Sequence, residues 1–382
     1  MVSPSLRSAV APFIVMDVMS AAAERERAGG DVLHLEVGQP GTGAPLAVRR
    51  AAADALDQQV LGYTVATGIP ELRARIAAAY AGWAGLVVDP DRIVVTAGAS
   101  AGFVLAFLAS FDAGDRVALA SPGYPCYRNV LHALDVEVVD VLTDAGTRFH
   151  PTPEALDAVG PVDGVVVASP SNPTGTVLGH DEMRALVGWC REHGATLVSD
   201  EIYHGLAFGE VAPSSALAHG DDAIVVNSFS KYFSMTGWRL GWVVLPEPLV
   251  RPVEALTQNL YISAPSLSQV AALAAFDAVD ELEGHVARYA RNRAVMLDEL
   301  PRLGLSDLAP ADGAFYVYGD VSPLTDDSVE LCRRWLAETG VAATPGVDFD
   351  PTRGHRTVRF SYAGSTEDVV SAMARLRSWA GG

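Results

Sequence analysis

Short apolar runs recur along most of the chain, and longer amphipathic stretches separate them. Runs that stay apolar at successive positions, without alternation, are typical of parallel strands that helices cover on both faces. The predicted strands lie at residues 92–96, 116–120, 136–141, 164–168, 196–199, 223–227 and 241–245. The predicted helices between or after them lie at residues 99–110, 125–134, 152–158, 180–192 and 267–282. This alternation predicts an α/β three-layer sandwich built on a mostly parallel seven-stranded sheet.

The two ends of the chain follow a different pattern. The N-terminal predictions are one helix over residues 5–28, an extended piece over 32–37, and helices over 45–56 and 70–81. The C-terminal predictions are a charged helix over 281–300, the strand FYVYGDV, a helix over 326–339, a strand near 356–361 and a final helix. We therefore expect a large domain of residues 46–285 and a smaller α+β domain of residues 1–45 and 286–382. The last two sheet strands are joined without a crossover helix, which leaves an antiparallel orientation open for one of them.

Composition narrows the class of protein. Hydrophobic residues make up 49% and charged residues 19%, as in a well-packed enzyme-sized protein. The net charge of −19 argues against nucleic acid and membrane surfaces as partners. Residues 93–111 carry no charge, but the TAGASAG segment interrupts them, which favours a strand, a tight turn and a buried helix over a membrane span.

Cysteine and histidine usage favours a cytoplasmic protein without a metal. Cys126, Cys190 and Cys332 are odd in number and far apart, with no CxxC pair, so a reducing cytoplasm is the simplest interpretation. The nine histidines show no metal-ligand spacing, and we expect no metal site.

Lys231 is the only lysine in the chain, and the other members of the 27 Lys plus Arg residues are arginines. A coding bias towards arginine explains the scarcity of lysine, but it does not explain why position 231 is a lysine. Arginine keeps its proton in proteins, whereas a buried lysine can become a free amine that forms a Schiff base. Covalent chemistry at Lys231 is therefore our hypothesis, and a leftover surface lysine is the alternative.

The segment Gly98–Gly102 fits G-x-S-x-G between a predicted strand and a predicted helix, so two interpretations are open. In a serine hydrolase, Ser100 would be the nucleophile, but that fold normally builds several strands before it, and no HGGG-type segment lies upstream. Alternatively, the backbone amides of Ala99, Ser100 and Ala101 and the Ser100 hydroxyl form an anion cradle at the start of a helix.

Three further polar turns follow predicted strands, where α/β folds gather ligand groups. They are SPSNPTG with Asn172, SDEIY with Asp200 and Tyr203, and NSFSK with Ser228, Ser230 and Lys231. Each alone is explained by an ordinary polar turn at a strand end. Together they bring an amide, a carboxylate, a phenol, hydroxyls and the only lysine to one edge of the sheet.

The segments SPSNPTG, SDEIY and SFSKYFSMTGWRLGW, in this order, resemble those of the fold-type I pyridoxal-phosphate aminotransferases of class I/II. The resemblance extends from the region of Gly38 to Arg359. It implies a pyridoxal 5′-phosphate cofactor and transfer of an amino group from an L-amino acid to a 2-oxo acid in ping-pong half-reactions. Residues 46–285 would then be the cofactor-binding domain.

The resemblance also implies a role for each matching residue. Lys231 would hold the cofactor as an aldimine and act as general base and acid, with Asp200 and Tyr203 as the other catalytic residues. Asp200 would face the pyridine nitrogen, while Tyr203 and Asn172 would bind the phenolic oxygen of the ring. Tyr124 would stack on the ring.

The remaining roles concern the cofactor phosphate and the substrate. The phosphate ligands would be Arg239, Ser228, Ser230 and the Ala99, Ser100 and Ala101 turn. Tyr63 would reach the phosphate of a neighbouring subunit, which implies a homodimer with shared active sites. Arg359 would bind the substrate carboxylate, near Asn172 and Gly38, with an ordinary salt bridge as the alternative for Arg359.

The resemblance leaves the reaction and substrates open. The family also contains C–S β-lyases and other pyridoxal-phosphate enzymes built on the same lysine and aspartate. Dicarboxylate-specific relatives use a further cation, sometimes just before an S-x-P stretch, where this chain has Gln258 and Asn259. An apolar, aromatic or small amino donor is therefore at least as well supported as aspartate, and 2-oxoglutarate is the family-level expectation for the acceptor.

Overall fold

Short buried strands alternate with helices in the computed structural model, which describes residues 2–381. The strands are β1 (Leu33–His34), β2 (Ile93–Thr96), β3 (Arg116–Ser121), β4 (Glu137–Leu142), β5 (Gly164–Ala168), β6 (Thr196–Asp200), β7 (Ile224–Ser228), β8 (Gly241–Val244), β9 (Tyr316–Asp320), β10 (Val341–Ala342), β11 (Thr344–Pro345) and β12 (Thr357–Ser361). The helices are α1 (Ile14–Arg27), α2 (Leu46–Gln58), α3 (Pro70–Ala84), α4 (Ala99–Ser110), α5 (Pro125–Ala133), α6 (Pro153–Ala158), α7 (His180–His193), α8 (Glu247–Leu260), α9 (Ser266–Ala272), α10 (Val279–Glu299), α11 (Ser328–Thr339) and α12 (Thr366–Ala380).

The main sheet has seven strands in the order β2-β8-β7-β6-β5-β3-β4. β8 pairs antiparallel with both β2 and β7, and the other neighbours pair parallel. The predicted α/β sandwich with a mostly parallel seven-stranded sheet is confirmed. β8 is the strand whose orientation the sequence left open, because the β7–β8 connection contains no crossover helix.

Successive residues of the central strands enter two different hydrophobic cores. Val95, Val225 and Val244 belong to one core, while Val94 and Val226 belong to the other. Side chains alternate between the faces of a strand, so an unbroken apolar run supplies both cores at once. This double burial explains why these strands show no polar alternation.

The remaining strands form two smaller sheets. β11, β12 and β9 pair antiparallel in that order, and β1 pairs parallel with β10. Strand β1 therefore joins the N-terminal part of the chain to the C-terminal part. This pairing supports a small domain made from both parts, while its boundaries at residues 46 and 285 stay predictions.

Some predicted helix boundaries were wrong. The helix predicted over residues 5–28 begins only at Ile14, because a proline at position 12 disfavours helix in the residue before it. The helix predicted over 267–282 is divided into α9, a 3-10 segment (Leu273–Asp277) and the start of α10. Helix α8 was not predicted at all, and it contains Pro252.

The uncharged stretch at residues 93–111 is β2, a turn and α4, as predicted. Within residues 2–381, no helix has the length and apolar character needed to cross a membrane. The same residues contain no group of three or more His, Cys, Asp or Glu side chains arranged to hold a metal ion.

Candidate active site

The sheet topology brings the polar turns together at one edge. β3, β5, β6 and β7 are parallel, so the turns that follow them lie at the same edge. β8 is antiparallel, and it therefore begins at the edge where the others end. β2 ends there too, since it is also antiparallel to β8. All of the predicted motifs therefore converge at this edge.

A cavity of about 210 Å³ opens at this edge. The predicted site residues that line it are Gly38, Ala99, Ser100, Tyr124, Asn172, Asp200, Tyr203, Ser228, Ser230, Lys231, Arg239 and Arg359. Ala101 and Tyr63 are not among the lining residues. Ala101 belongs to the first turn of α4, whereas Tyr63 is 83% exposed in the loop between α2 and α3.

The side chain of Lys231 lines the cavity, and its amine has one hydrogen-bond partner among the described residues. Its Nζ atom donates to the backbone oxygen of Gly38 at 2.6 Å and lies 5.6 Å from the centre of the Tyr203 ring. Burial, followed by the positive charge of Arg359, lowers the pKa of Lys231 to about 8, although Asp200 acts in the opposite direction. The amine therefore loses its proton much more readily than an exposed lysine.

Asp200, the last residue of β6, is a buried carboxylate held by two donors. Its Oδ1 atom accepts a hydrogen bond from the Ile202 amide at 3.1 Å, and its Oδ2 atom accepts one from the Tyr127 hydroxyl. Burial raises the pKa of Asp200 to about 6, against the lowering effects of Tyr127, Ile202 and Lys231. Asp200 is thus largely ionised at neutral pH and can face a cation in the cavity.

Another part of the cavity wall collects hydrogen-bond donors. The Ser228 hydroxyl lies 2.7 Å from that of Ser230. A Cβ atom on Gly98, whose φ is +81°, would lie 2.6 Å from a terminal nitrogen of Arg239, so glycine allows the guanidinium to approach the start of α4. Hydroxyls, a guanidinium and first-turn amides form a donor set suited to a phosphate.

Arg359 is 3% exposed and is held between two aromatic rings. Its guanidinium carbon lies 4.4 Å from the centre of the Tyr316 ring and 4.7 Å from that of Phe349. One terminal nitrogen donates to the Asn172 side-chain oxygen at 2.9 Å. Its buried Nε atom has no acceptor among the described residues, which leaves a donor for a carboxylate.

A family model described as "Aminotransferase class I and II" matches residues 30–376. The match covers most of the chain and includes the three motif segments and Arg359. The chain belongs to the class I and II aminotransferases.

Characterised and solved aminotransferases are similar over almost the full chain. The valine–pyruvate aminotransferase of Mycobacterium tuberculosis is 54% identical over 379 residues, with 98% of each chain covered. The crystal structure of an aminotransferase from the same organism has a TM-score of 0.97 at 54% identity, with 99% of each chain covered. The aspartate aminotransferase of Thermus thermophilus, solved with maleate, has a TM-score of 0.93 at 34% identity and covers 99% of this chain and 100% of its own.

The structure of this aminotransferase adds site residues that the sequence did not reveal. Tyr127 donates to Asp200, and the Tyr316 hydroxyl lies 2.7 Å from that of Tyr203. The signal for Tyr127 was weak: it lies three residues after Tyr124, one turn along α5. Tyr316 looked like an ordinary strand residue in FYVYGDV.

Helix α1 also contributes to the cavity of this aminotransferase. Val15, Met16 and Met19 line it, and they form an apolar wall. The same segment was predicted only as part of the helix over residues 5–28. Its role could not be inferred, because the contact depends on how the N-terminal part of the chain packs on the sheet.

The family assignment and the cavity geometry argue against Ser100 as the nucleophile of a hydrolase. Ser100 lines the cavity, but none of the histidines within residues 2–381 does. The nucleophilic serine of a hydrolase needs an adjacent base, which is usually an imidazole. The Gly98–Gly102 turn instead begins α4, and the guanidinium of Arg239 approaches it at Gly98.

Proposed function

We propose that this aminotransferase binds pyridoxal 5′-phosphate in the cavity, with Lys231 as the point of covalent attachment. The observation that carries the proposal is the position of the only lysine of the chain between a donor cluster and a buried carboxylate. Ser228, Ser230, Arg239 and the first amides of α4 would hold the phosphate. Asp200 would face the pyridine nitrogen, and Tyr124 would stack on the ring.

When bound, pyridoxal phosphate supplies a conjugated, electron-withdrawing ring that accepts the electrons released as the substrate loses its α-proton. Lys231 would take that proton and return it, since an amine with a pKa of about 8 can act both as base and as acid near neutral pH. Asp200 would keep the pyridine nitrogen protonated through its negative charge. Tyr203 and Asn172 would orient the ring by hydrogen bonds to its phenolic oxygen.

Arg359 would bind the substrate carboxylate and so orient the α-carbon above the ring. Its free Nε donor supports a bidentate pair, in which a planar guanidinium meets two carboxylate oxygens. Gly38 leaves room for the Tyr316 side chain that lies against Arg359, because a Cβ atom on Gly38 would lie only 1.8 Å from the Tyr316 hydroxyl. Asn172, already bonded to Arg359, links the carboxylate site to the cofactor site.

We further propose a small apolar amino acid as donor, with valine as the first candidate, and pyruvate as acceptor. Val15, Met16 and Met19 offer an apolar surface to the substrate side chain. The cations among the described lining residues are Lys231, Arg239 and Arg359, each already assigned to another group. A distal carboxylate, as in aspartate or 2-oxoglutarate, would therefore lack a partner. The similarity to a valine–pyruvate aminotransferase supports the same choice.

The proposal includes a homodimer in the cytoplasm. Tyr63 and Val60, 83% and 99% exposed, lie in one loop and offer a surface to a second copy. Tyr63 would then contribute to the phosphate site of the partner. Cys126, Cys190 and Cys332 are buried free thiols, a state that a reducing compartment preserves.

The cofactor proposal is tested by the visible absorbance of the purified protein after incubation with pyridoxal phosphate. Borohydride should bleach that absorbance and leave a stable label on the peptide containing Lys231. A protein that remains colourless, or a label on no peptide, would contradict the proposal.

The substrate proposal is tested by half-reactions of the loaded enzyme with valine, alanine, phenylalanine and aspartate. Valine should yield its 2-oxo acid and the amino form of the cofactor, which pyruvate then returns to the starting form. A higher rate with aspartate than with valine would overturn the donor assignment. Release of ammonia together with pyruvate from a cysteine derivative would reveal β-lyase activity.

A further inference from the structure

The hydroxyl groups of Tyr203 and Tyr316 form an isolated pair in the wall of the cavity. Their oxygens are 2.7 Å apart, and within residues 2–381 neither hydroxyl has another hydrogen-bond partner. Both side chains are almost fully buried, with 3% and 1% exposed, and both line the cavity. The pair therefore holds two protons and one internal hydrogen bond, so one proton remains for an acceptor in the cavity.

Tyr316 is fixed in this position from two sides. The guanidinium of Arg359 covers its ring at 4.4 Å, and the backbone of Gly38 lies so close that a Cβ atom would clash with the hydroxyl. Tyr316 is also the first residue of β9, paired in register with Ser361 of β12. Its side chain cannot turn away from Tyr203 without losing its contact with Arg359.

We infer that Tyr316 is a positioning residue that acts through Tyr203: its hydroxyl donates to the Tyr203 oxygen and thereby directs the Tyr203 proton into the cavity. This inference rests on the proposed function, in which Tyr203 faces the phenolic oxygen of the cofactor. If Tyr203 donated to Tyr316, it would have no proton left for the phenolic oxygen. An acceptor at that place therefore selects the arrangement in which Tyr316 donates to Tyr203. A chain of two aligned hydrogen bonds also strengthens the bond at its end.

The same contacts connect two parts of the site. Arg359 is proposed to bind the substrate carboxylate, and its positive charge covers the ring of Tyr316. Burial raises the pKa of Tyr316, although Arg359 acts in the opposite direction, so the hydroxyl keeps its proton at neutral pH and remains a donor. Tyr316 thus joins the carboxylate site to the residue that binds the ring oxygen.

The test compares Tyr316→Phe, Tyr203→Phe, the double variant and Tyr318→Phe, all loaded with pyridoxal phosphate. Phenylalanine keeps the ring beneath Arg359 and removes only the hydroxyl. Tyr318 is the matched control, because it lies on the same strand and its hydroxyl bonds to Thr357 at 2.6 Å, outside the cavity lining. The readouts are the pH midpoint of the visible absorbance change of the bound cofactor and kcat/KM for the amino donor. Thermal melting checks that each variant folds.

We expect Tyr316→Phe to move the absorbance midpoint in the same direction as Tyr203→Phe, but by less. The value of kcat/KM should fall about two- to tenfold, the factor expected for one neutral hydrogen bond. In the double variant, loss of the Tyr316 hydroxyl should have no further effect, because it acts through a hydroxyl that is already absent. Tyr318→Phe should leave both readouts at wild-type values.

Two results would overturn the inference while leaving the proposed function intact. One is a double variant in which the two effects simply multiply, since the residues would then act independently. The other is a normal absorbance midpoint in Tyr316→Phe. If the wild-type protein takes up no pyridoxal phosphate and shows no visible absorbance, the proposed function fails and this inference fails with it.

Discussion

The Nζ atom of Lys231 donates to the backbone oxygen of Gly38 across a distance of 2.6 Å, although the two residues are 193 positions apart in the chain. Lys231 follows β7 of the main sheet, whereas Gly38 follows β1, which pairs with a strand of the C-terminal part of the chain. The amine thus lies where these two parts of the structure meet. The groups proposed to hold the cofactor and those proposed to hold the substrate can therefore both reach it.

Replacing Lys231 by arginine should abolish transamination while leaving the fold intact. A guanidinium neither forms a stable covalent bond to the cofactor nor loses its proton. The loss of a positioned acid–base group alone lowers rates by about 10²–10⁴-fold. Turnover with saturating donor measures the loss of transamination. Borohydride labelling measures the loss of covalent attachment. A variant that retains the label would show that the attachment point lies elsewhere.

Because Lys231 is the only lysine, its ionisation can be followed directly in the cofactor-free protein with a small amine-specific reagent. A pKa lowered to about 8 means that the reactive free amine predominates above pH 8. The rate of modification of the Lys231 peptide should therefore reach half its plateau near pH 8. Peptide mapping separates this product from modification of the terminal amino group. A midpoint near pH 10.5 would show that the amine is not perturbed.

Two substitutions should move this midpoint in opposite directions. Removing the positive charge in Arg359→Met makes protonation of Lys231 easier, so the midpoint should rise. Removing the negative charge in Asp200→Asn makes protonation harder, so the midpoint should fall. Shifts of the same sign in both variants would contradict this electrostatic explanation.

Arg359→Lys should raise KM for the amino acid about ten- to a hundredfold. Lysine keeps the positive charge, but it cannot form a bidentate pair with a carboxylate, and charged hydrogen bonds are worth about 1.5–3 kcal/mol. Arg353→Lys is the matched control, because Arg353 pairs with Asp350 at 2.8 Å and does not line the cavity. Equal KM values for the two variants would place the carboxylate site elsewhere.

The sequence predicted those parts of the fold in which local pattern and tertiary structure agree. The central strands were recognisable as unbroken apolar runs. Each of these strands supplies side chains to the hydrophobic cores on both faces of the sheet, as Val94 and Val95 do. Helix α8 was not recognised, because Pro252 in its interior contradicts helical propensity. Packing against α4 and β2 stabilises the helix despite this proline.

The site was predictable where polar residues lie at or just after the ends of strands, since sheet topology alone brings those ends together. Lys231 and Asp200 are examples. Tyr316 and Tyr127 have no such signal, because a tyrosine within an apolar strand or helix looks like a core residue. Their hydroxyls become significant only through the residues opposite them, Tyr203 and Asp200. Such contacts depend on tertiary packing and cannot be inferred from spacing.

Asp348 should control the apolar wall of the cavity through the start of helix α1. The residue before the helix provides no side-chain cap, and the Asp348 carboxylate instead accepts from the amides of Ile14 at 3.1 Å and Val15 at 3.3 Å. Loss of such a cap costs about 0.5–2 kcal/mol. Asp348→Ala should therefore loosen the first turn of α1 and raise KM for valine several-fold, with little change in kcat.

The matched control for this prediction is Asp327→Ala. Asp327 caps α11 in the same way, accepting from the amides of Val329 and Glu330 at 3.0 Å each, but no residue of α11 lines the cavity. Both variants should lose a similar amount of stability in thermal melting, and only Asp348→Ala should change KM. A rise in KM of the same size in Asp327→Ala would mean that general destabilisation, rather than the position of α1, explains the effect.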